Sequence, residues 1–375
     1  MKEKVRFLGL DVHAETIAVA VAEADGEVRS LGTIANRIES VRKLMKKLGP
    51  VEHLRACYEA GPTGYVLYWQ LAELGVKCEV IAPTLVPVMA GNRVKTDRRD
   101  AEKLARSYRS GDLTAVWVPD EGSEALRDLV RARESAKQDQ LRARHRLGKF
   151  LLRTGRRAEH GVKAWTQEYM KWVRQLRFEP MAQEATRLDY VHEVEHMGER
   201  VARLEQAIAE AVKVASPALQ EVVRDLQALR GIAQISAVTI AAELGNLTRF
   251  AGARQLMGYS GAVPSEDSSG ERTRRGRITK TGNAHLRRIA VEAAWSYKFR
   301  PAVGPALRKR QEGLPEEIKE IAWKAQHRLH KRFSRLAAAG KDRRKIVTAV
   351  GRELLGFIWA IGIRAEAAAS RPMAA

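Results

Sequence analysis

The stretch VRFLGLDVHAETIAVAVAEADGEVRSLGTI, residues 5–34, holds three short apolar runs separated by polar turns. Residues 5–12, Thr16 to Ala22 and Val28 to Ile34 have the length and alternating side-chain bulk that favour β-strands, and Asp25-Gly26 is typical of a tight turn. This opening therefore predicts a meander of three strands.

The residues that follow predict helices and strands in alternation. Apolar residues recur at helical spacing from Ile38 to Leu48, and Gly49-Pro50 ends that helix. Further elements are predicted, in the order strand, helix, strand, helix, at Leu54 to Tyr58, Gly64 to Leu74, Cys78 to Ile81 and Thr96 to Tyr108. A meander followed by such units indicates a mixed sheet covered by helices, in the order of ribonuclease-H-like folds.

The composition narrows the class of partner. The chain has 375 residues, with 66 Lys and Arg against 45 Asp and Glu, a net charge of +21 and an isoelectric point near 10.2. At roughly 150 residues per domain, the length predicts two or three domains. Because so large a positive charge opposes compaction unless a polyanion neutralises it, the composition indicates nucleic acid. A basic membrane-surface protein is the rival interpretation, and it needs an anchor.

Several classes are excluded. Cys57 and Cys78 are the only cysteines, so no disulfide framework supports the fold, and no Cys-x-x-Cys spacing offers a zinc site. The first residues meet charge again too soon for a signal peptide. The best membrane candidate, Leu354 to Ile363, is too short for a span and lies between Arg352 and Arg364. We therefore expect a soluble, intracellular, cationic protein with no membrane partner.

From Pro119 onward, helix formers and charged residues dominate. Long helices are predicted from Ser123 to Thr154 and from about Ala182 to Ala215. The second carries apolar residues in steps of three and four from Val194 onward, the pattern of a coiled-coil seam. Two helices packed within one chain and a coiled coil between chains both fit this seam, and the pattern alone does not decide.

The region after Ser216-Pro217 predicts shorter helices around a polar loop. Residues 229–259 resemble a helix-hairpin-helix element, but Ala233 and Ser236 replace its usual turn residues, so plain packing of two helices is the simpler interpretation. Pro264 to Gly282 is predicted to be a glycine-bearing loop, and the remainder from Ala284 to be helical.

Four acids stand where a ribonuclease-H-like sheet would bring them together. Asp11 ends the first strand, Glu59 follows the fourth, and Asp97 and Asp100 lie one helical turn apart at a helix start. Clustered carboxylates repel one another, and a hard divalent cation such as Mg²⁺ relieves this by taking oxygen ligands. Two such ions can hold the attacking and leaving oxygens of a phosphodiester. Taken singly, each acid is more simply a cap or a strand-end residue; the quartet in this order favours a metal site.

The segment PSEDSSGERTRRGRITKTGN, residues 264–283, is the second candidate for chemistry. A serine beside a glycine can present its hydroxyl to a phosphate while arginines hold the phosphate oxygens. Ser269 acting as a nucleophile would form a phosphoserine intermediate. Basic loops also bind phosphate without any chemistry, so the residues alone leave this role open.

Two basic segments are expected to contact phosphates. Seven Lys or Arg residues lie between Arg272 and Arg288, and nine lie between Lys324 and Lys345, where Asp342 is the one acid. Trp323, Phe333 and Trp359 are near the second segment, for packing or base stacking. The candidate nucleic-acid-binding residues are Arg272, Arg274, Arg275, Arg277, Lys280, Arg287, Arg288, Lys331, Arg332, Arg343 and Arg344.

Together these motifs resemble the DEDD transposases of the bridge-RNA-guided insertion-sequence family, over nearly the whole chain. The acids lie in LGLDV (8–12), YEAGPTG (58–64) and KTDRRDA (95–101). The C-terminal likeness runs from Phe250 to Gln255 and through YSGAVP (259–264), Ser269-Gly270 and GNAHLRR (282–288).

The resemblance implies a RuvC-like catalytic domain over residues 1–118, a coiled-coil oligomerisation region over 119–216 and a transposase domain over 217–375. It implies that Asp11, Glu59, Asp97 and Asp100 bind Mg²⁺, with Mn²⁺ as a substitute. Ser269 would be the nucleophile, with Ser268 and Ser265 as open alternatives.

The resemblance also implies partners and an activity. The implied partners are double-stranded DNA, a structured noncoding guide RNA and further copies of the chain, as a dimer or a tetramer. The implied location is the cytoplasm of a prokaryotic-type cell, at the nucleoid. The implied activity is that of an RNA-guided DNA transposase or recombinase, which cleaves and rejoins DNA strands to insert or excise an insertion-sequence element.

Two other functions fit parts of the sequence. A RuvC-like Holliday-junction endonuclease would use the four acids and water, and would tolerate Ser269→Ala. A non-catalytic basic scaffold would bind nucleic acid and would be indifferent to Asp11→Ala.

Overall fold

The computed structural model describes residues 5–87, 95–270 and 272–370. Residues 1–4, which carry part of the signal-peptide prediction, and Glu271, inside the predicted loop, lie outside the described residues. The chain divides into two compact units, Met1–Val118 and Pro119–Ala375.

A mixed sheet forms the centre of the first unit. Its strands are β1 (Arg6–Val12), β2 (Thr16–Glu23), β3 (Val28–Ala35), β4 (Leu54–Glu59) and β5 (Lys77–Ile81). They lie in the order β3-β2-β1-β4-β5, with the first three antiparallel and with β4 and β5 parallel to β1. This is the predicted ribonuclease-H-like arrangement, so the mixed α/β class of this unit is confirmed.

Three helices cover this sheet: α1 (Ile38–Leu48), α2 (Val66–Glu73) and α3 (Asp97–Ser110). Short 3-10 helices lie at Val51–His53 and Pro83–Leu85. Alternation in β2 separates the two faces: Ile17, Val19 and Val21 share a core with α1 and α2, while the alanines between them meet Ala101 and Ala105 of α3. The small residues on this second face allow α3 to approach the sheet closely.

Gly9 in β1 is a point of close approach between the sheet and α3. A Cβ atom added there would lie 3.0 Å from the Cα of Ala105, and closer still to the carbonyl oxygen of Ala101. Only glycine therefore permits this seating of the helix. The contact lies at Ala101 and Ala105, one to two turns beyond the start of α3.

The second unit is mostly helical. Its helices are α4 (Glu121–Arg153), α5 (Gln167–Gln175), α6 (Met181–Lys213), α7 (Pro217–Leu226), α8 (Gln234–Leu244), α9 (Ala253–Tyr259), α10 (Ala284–Ala294), α11 (Pro305–Gln311), α12 (Glu316–Ala338) and α13 (Arg343–Ala369). Short 3-10 helices lie at Leu247–Arg249 and Trp295–Lys298. The helix-hairpin-helix-like stretch, residues 229–259, contains α8 and α9, and α8 is buried from Ala237 to Leu244.

Helices α4 and α6 pack on each other within the chain. Val194 and Ile208 of the predicted seam are buried in two apolar clusters that also contain residues of α4. The pair is reinforced by Arg200, whose Nη1 lies 3.0 Å from Asp139 Oδ2. The seam is thus used inside one chain, as in the first of the two interpretations, and a coiled coil between chains stays a prediction.

The predicted loop over Pro264 to Gly282 is wrong for most of its length. An antiparallel hairpin stands there, formed by β6 (Pro264–Ser269) and β7 (Arg272–Ile278). Nearly all of its residues are exposed on both faces, so the sequence lacks the apolar alternation that marks a half-buried strand. Gly270 occupies the turn with a φ of +56°.

One described helix, α13, is long and apolar enough to cross a membrane. The apolar stretch Leu354 to Ile363, which is too short for a span, belongs to this helix. Residues such as Val350, Leu354 and Ile358 are fully buried, and the helix packs against α7, α9, α10 and α12. Helix α13 is therefore the central helix of the second unit's core.

Candidate active site

Asp11 and Glu59 lie at neighbouring strand ends. Strands β1 and β4 pair in parallel with Leu10 opposite Tyr58, so the next residue of each strand reaches the same edge of the sheet. A cleft of about 610 Å³ opens at this edge, and both carboxylates line it together with His13, Asn36 and the loop at 60–63. The site is a concave recess in the first unit, with two carboxylates in its lining.

Helix α3 brings the other two acids to this edge. Its N-cap, Thr96, accepts a hydrogen bond from the backbone N–H of Arg99 at 3.3 Å, so Asp97 and Asp100 stand in the first turn. The helix dipole favours acids at this position. Donor atoms of Asp11, Asp97 and His13 all lie within 4.8 Å of one another. Residues far apart in the sequence are thereby brought to one place.

His13 is a site residue that the sequence analysis missed. Its Nε2 lies 3.4 Å from Asp11 Oδ2 and 3.6 Å from Asp97 Oδ1. Its backbone is fixed by its N–H, which donates to Thr16 O, and by its carbonyl, which accepts from Asn36 Nδ2, each at 2.8 Å. His13 follows the last residue of β1 and is placed by these two contacts, so a local sequence pattern does not signal it.

The four acids influence one another electrostatically. Burial raises the pKa of Asp11; His13 opposes this shift, and the charges of Asp100 and Asp97 add to it. Burial also raises the pKa of Glu59, with Lys103 opposing the shift and Asp100 and Asp11 adding to it. The partly buried carboxylates of Asp11 and Glu59, with the charges of Asp97 and Asp100 beside them, offer oxygen donors that fit a hard divalent cation. The residues present are thus suited to a divalent metal.

Ser269 belongs to the second unit, at the end of β6, where it pairs with Arg272 across the turn. The two alternative serines, Ser268 and Ser265, have different surroundings. Ser268 Oγ donates to Glu266 Oε1 at 3.0 Å, and Ser265 Oγ occupies the space that a Cβ at Gly276 would need. The three candidate serines therefore differ, and Ser269 is the one at the tip of the exposed hairpin.

A buried carboxylate fixes the base of this hairpin. Glu243 of α8 is fully buried, and it accepts hydrogen bonds from Arg131 Nε and Nη2 at 2.8 and 3.0 Å and from Asn283 Nδ2 at 2.7 Å. Asn283 also caps α10, through Leu286 N at 2.9 Å, and its own N–H donates to Tyr259 O at 2.9 Å. The GNAHLRR segment thus anchors both ends of the hairpin.

The candidate nucleic-acid-binding residues fall into two groups. Arg287 donates to the carbonyls of Ser260 and Lys280, Arg288 pairs with Glu134, and Arg332 pairs with Glu353. These three side chains already have partners within the protein, and Arg275 lies 3.4 Å from Glu266. The other candidates are exposed: Arg272, Arg274, Arg277, Lys280, Lys331, Arg343 and Arg344.

The fold defines a class, namely proteins with a ribonuclease-H-like domain. The comparisons narrow that class to DEDD transposases. Residues 8–155 match the model of IS110-type DEDD transposases, and residues 223–309 match the model described as the transposase IS116/IS110/IS902 family.

Relatives support the same class. A putative transposase of Sinorhizobium fredii is 45% identical over 363 residues, which cover 96% of this chain and 89% of the relative. The transposase for insertion sequence element IS1533 of Leptospira borgpetersenii is 34% identical over 341 residues, which cover 90% and 97%. The chain belongs to the IS116/IS110/IS902 family of transposases. The predicted membership among DEDD transposases, and with it a DNA transposase activity, is confirmed.

Proposed function

We propose that this transposase is an RNA-guided recombinase that cleaves and rejoins DNA strands to insert or excise its element, using four acids and a serine. The observation that carries the proposal is the meeting of Asp11, His13 and Asp97 within 4.8 Å, beside the cleft that Glu59 lines. We further propose the division into residues 1–118, 119–216 and 217–375, and action in the cytoplasm as a dimer or a tetramer.

Asp11, Glu59, Asp97 and Asp100 would hold Mg²⁺, with Mn²⁺ as a substitute. A bound ion would polarise the phosphate oxygens and stabilise the charge that develops on them. The protein holds these carboxylates in place. Asp11 and Glu59 lie at the ends of two paired strands, and the other two acids lie in the first turn of the capped helix α3, which packs closely on Gly9. Such fixed carboxylates need little reorganisation when a phosphate arrives.

The strand exchange would proceed through Ser269. Its Oγ attacks the phosphorus of a DNA phosphodiester, so that a serine–phosphorus ester forms and the bond to one deoxyribose oxygen breaks. The hydroxyl proton is lost to a base, and the departing oxygen takes up a proton. Attack by a deoxyribose hydroxyl of the joining strand then restores a phosphodiester and frees the serine. The exposed arginines of β7 would hold phosphate oxygens.

Trapping the phosphoserine tests this proposal. Labelled DNA carrying the element end is incubated with the enzyme and Mg²⁺, and covalent adducts are separated on a denaturing gel. We expect an adduct with the wild type and with Ser268→Ala, and none with Ser269→Ala. Cleavage by Ser269→Ala at the wild-type rate, with no adduct in any variant, would instead establish the water-using endonuclease.

A further inference from the structure

The end of the long helix pair carries a concentrated positive charge. Residues 142–177 comprise the last turns of α4, the connection that follows and α5, and we name them the basic tip. They contain eleven Lys or Arg residues and only two acids, Glu159 and Glu168. None of the nucleic-acid-binding residues considered above belongs to this surface.

Most of this charge is not neutralised by the protein. Arg142, Arg146 and Arg174 have carboxylate partners in α4 or α6. The other exposed cations of the basic tip have no carboxylate within ion-pair distance among the described residues: Lys149, Arg153, Arg156, Arg157, Lys163, Lys171 and Arg177. A patch of this kind attracts a polyanion.

An aromatic recess lies within the basic tip. The indole of Trp165 rests against α4 at Gly148, 3.7 Å from where a Cβ would be, with the Arg144 guanidinium 5.5 Å from the ring centroid. Tyr169 packs edge-on against the same indole, with ring centroids 5.2 Å apart. Trp165 also lines an open cavity of about 400 Å³ with Thr166, Gln167, Met170 and Arg174. That volume lies in the range of about 300–1,000 Å³ typical of small-ligand sites.

We propose that the basic tip binds an unpaired loop of a structured RNA, with one base entering the recess beside Trp165 and the surrounding cations contacting its phosphates. Unpaired RNA bases are available for stacking on aromatic side chains, whereas the bases of duplex DNA stay stacked in the helix. A second copy of this surface would bring like charge. A lipid surface would need an exposed apolar helix face, and Val173 of α5 is fully buried.

This inference rests on the proposed RNA guidance for the identity of its ligand, but it does not depend on the chemistry at Ser269 or at the four acids. The test uses the full chain and fluorescence anisotropy, with a labelled RNA hairpin that has an adenosine loop and a blunt RNA duplex of the same stem. Both RNAs are titrated at several salt concentrations. Asp11→Asn binds the looped RNA like the wild type, which separates this site from the catalytic one.

Trp165→Ala is expected to weaken binding of the looped RNA by about tenfold or more, because stacking on one base is lost. Affinity for the duplex and the slope of log Kd against log salt stay unchanged. Trp165→Phe, which keeps a ring, recovers most of the binding, and Leu152→Ala, an exposed residue on the same tip, is the matched control. Lys163→Gln with Lys171→Gln lowers the salt slope by about 0.7 for each phosphate that is no longer neutralised.

Equal binding of the looped RNA by Trp165→Ala and wild type would overturn the proposal. Equal losses of affinity for the looped and duplex RNAs in Trp165→Ala would also overturn it, because the recess would then bind no unpaired base. Binding of anionic phospholipid vesicles in preference to the looped RNA would assign the tip to a membrane surface and likewise overturn it.

Discussion

Asp11 is partly buried at a strand end and lies among three other acids, two of which raise its pKa further. At neutral pH its ionised form therefore opposes folding, because the folded-state pKa lies above the ordinary value. Such a residue is retained for its chemistry and not for stability. His13, 3.4 Å away, offsets part of this repulsion.

The substitution Asp11→Asn separates the role of Asp11 in cleavage from its effect on stability. Loss of one oxygen ligand is expected to lower divalent-ion-dependent DNA cleavage by more than about 100-fold, in line with the effect of disturbed metal sites. Without added metal, the thermal unfolding temperature at pH 7 should not fall, because a repelling charge is removed. Glu15→Gln, in the exposed turn between β1 and β2, is the control. Full activity in Asp11→Asn would contradict its role in the site.

At Glu243 the favourable interactions of the ionised carboxylate outweigh the effect of burial, in contrast to Asp11. Burial alone would raise its pKa, but hydrogen bonds from Arg131 and Asn283 outweigh burial and hold the pKa below 4.5, its ordinary value. Its contribution to stability is therefore present above pH 4.5 and is lost as the pH falls through the lower folded-state pKa. This carboxylate links α4, α8 and the cap of α10.

We expect Glu243→Ala to lower the free energy of unfolding by about 3–5 kcal/mol, because it removes the fully buried carboxylate that pairs with Arg131 and accepts from Asn283. Glu320→Ala, which removes an exposed pair with Lys324, should cost less than about 1 kcal/mol. Urea unfolding at pH 7 measures both. Glu243→Gln should remove part of the acid destabilisation below pH 4.5, and an unchanged pH profile would count against this assignment.

Among the secondary-structure elements, the sequence predicted those whose buried face gives a periodic pattern of apolar residues. The alternation in β2 and the helical spacing from Ile38 to Leu48 predicted those elements within a residue or two. The β6–β7 hairpin escaped prediction because its exposed strands need no apolar pattern. All four acids stand at or beside predicted element ends, whereas His13 lies in a turn whose geometry depends on Asn36 and Thr16. A local pattern does not encode those contacts.

Gly9→Ala tests how α3 is seated. The added methyl group would overlap the backbone of Ala101 and Ala105, so we expect a loss of about 1–3 kcal/mol or more in the stability of the first unit. Hydrogen exchange of the amides at 97–110 should accelerate, and cleavage should fall because Asp97 and Asp100 move with the helix. Gly61→Ala has no neighbour closer than 3.9 Å and is the control for stability. Unchanged exchange in Gly9→Ala would refute this seating.

At the scale of the whole molecule, the net charge of +21 is spread over both halves of the sequence and over the exposed hairpin. Such a chain binds DNA chiefly by releasing counterions from the phosphates, so its affinity depends on salt. The two compact units supply different chemistry, carboxylates in one and a basic serine hairpin in the other.

The salt dependence of DNA binding measures how many phosphates the hairpin neutralises. Binding of duplex DNA should weaken steeply with rising KCl, and Arg274→Gln with Arg277→Gln should lower the slope of log Kd against log salt by about 0.9 for each phosphate that the variant no longer binds. The matched control is Lys319→Gln, because the Nζ of Lys319 already lies 2.8 Å from Glu316. A slope that is the same in the double variant and the wild type would show that the hairpin does not bind phosphates.

The central claim is that the strand ends and α3 form one metal-binding pocket. Anomalous scattering from crystals of the full chain grown with Mn²⁺ tests it most directly. We predict a peak about 2.0–2.2 Å from carboxylate oxygens of Asp11 and of at least one of Glu59, Asp97 and Asp100, and no such peak in Asp11→Asn crystals. A Mn²⁺ peak bound elsewhere, with none of these four carboxylates as a ligand, would contradict the account.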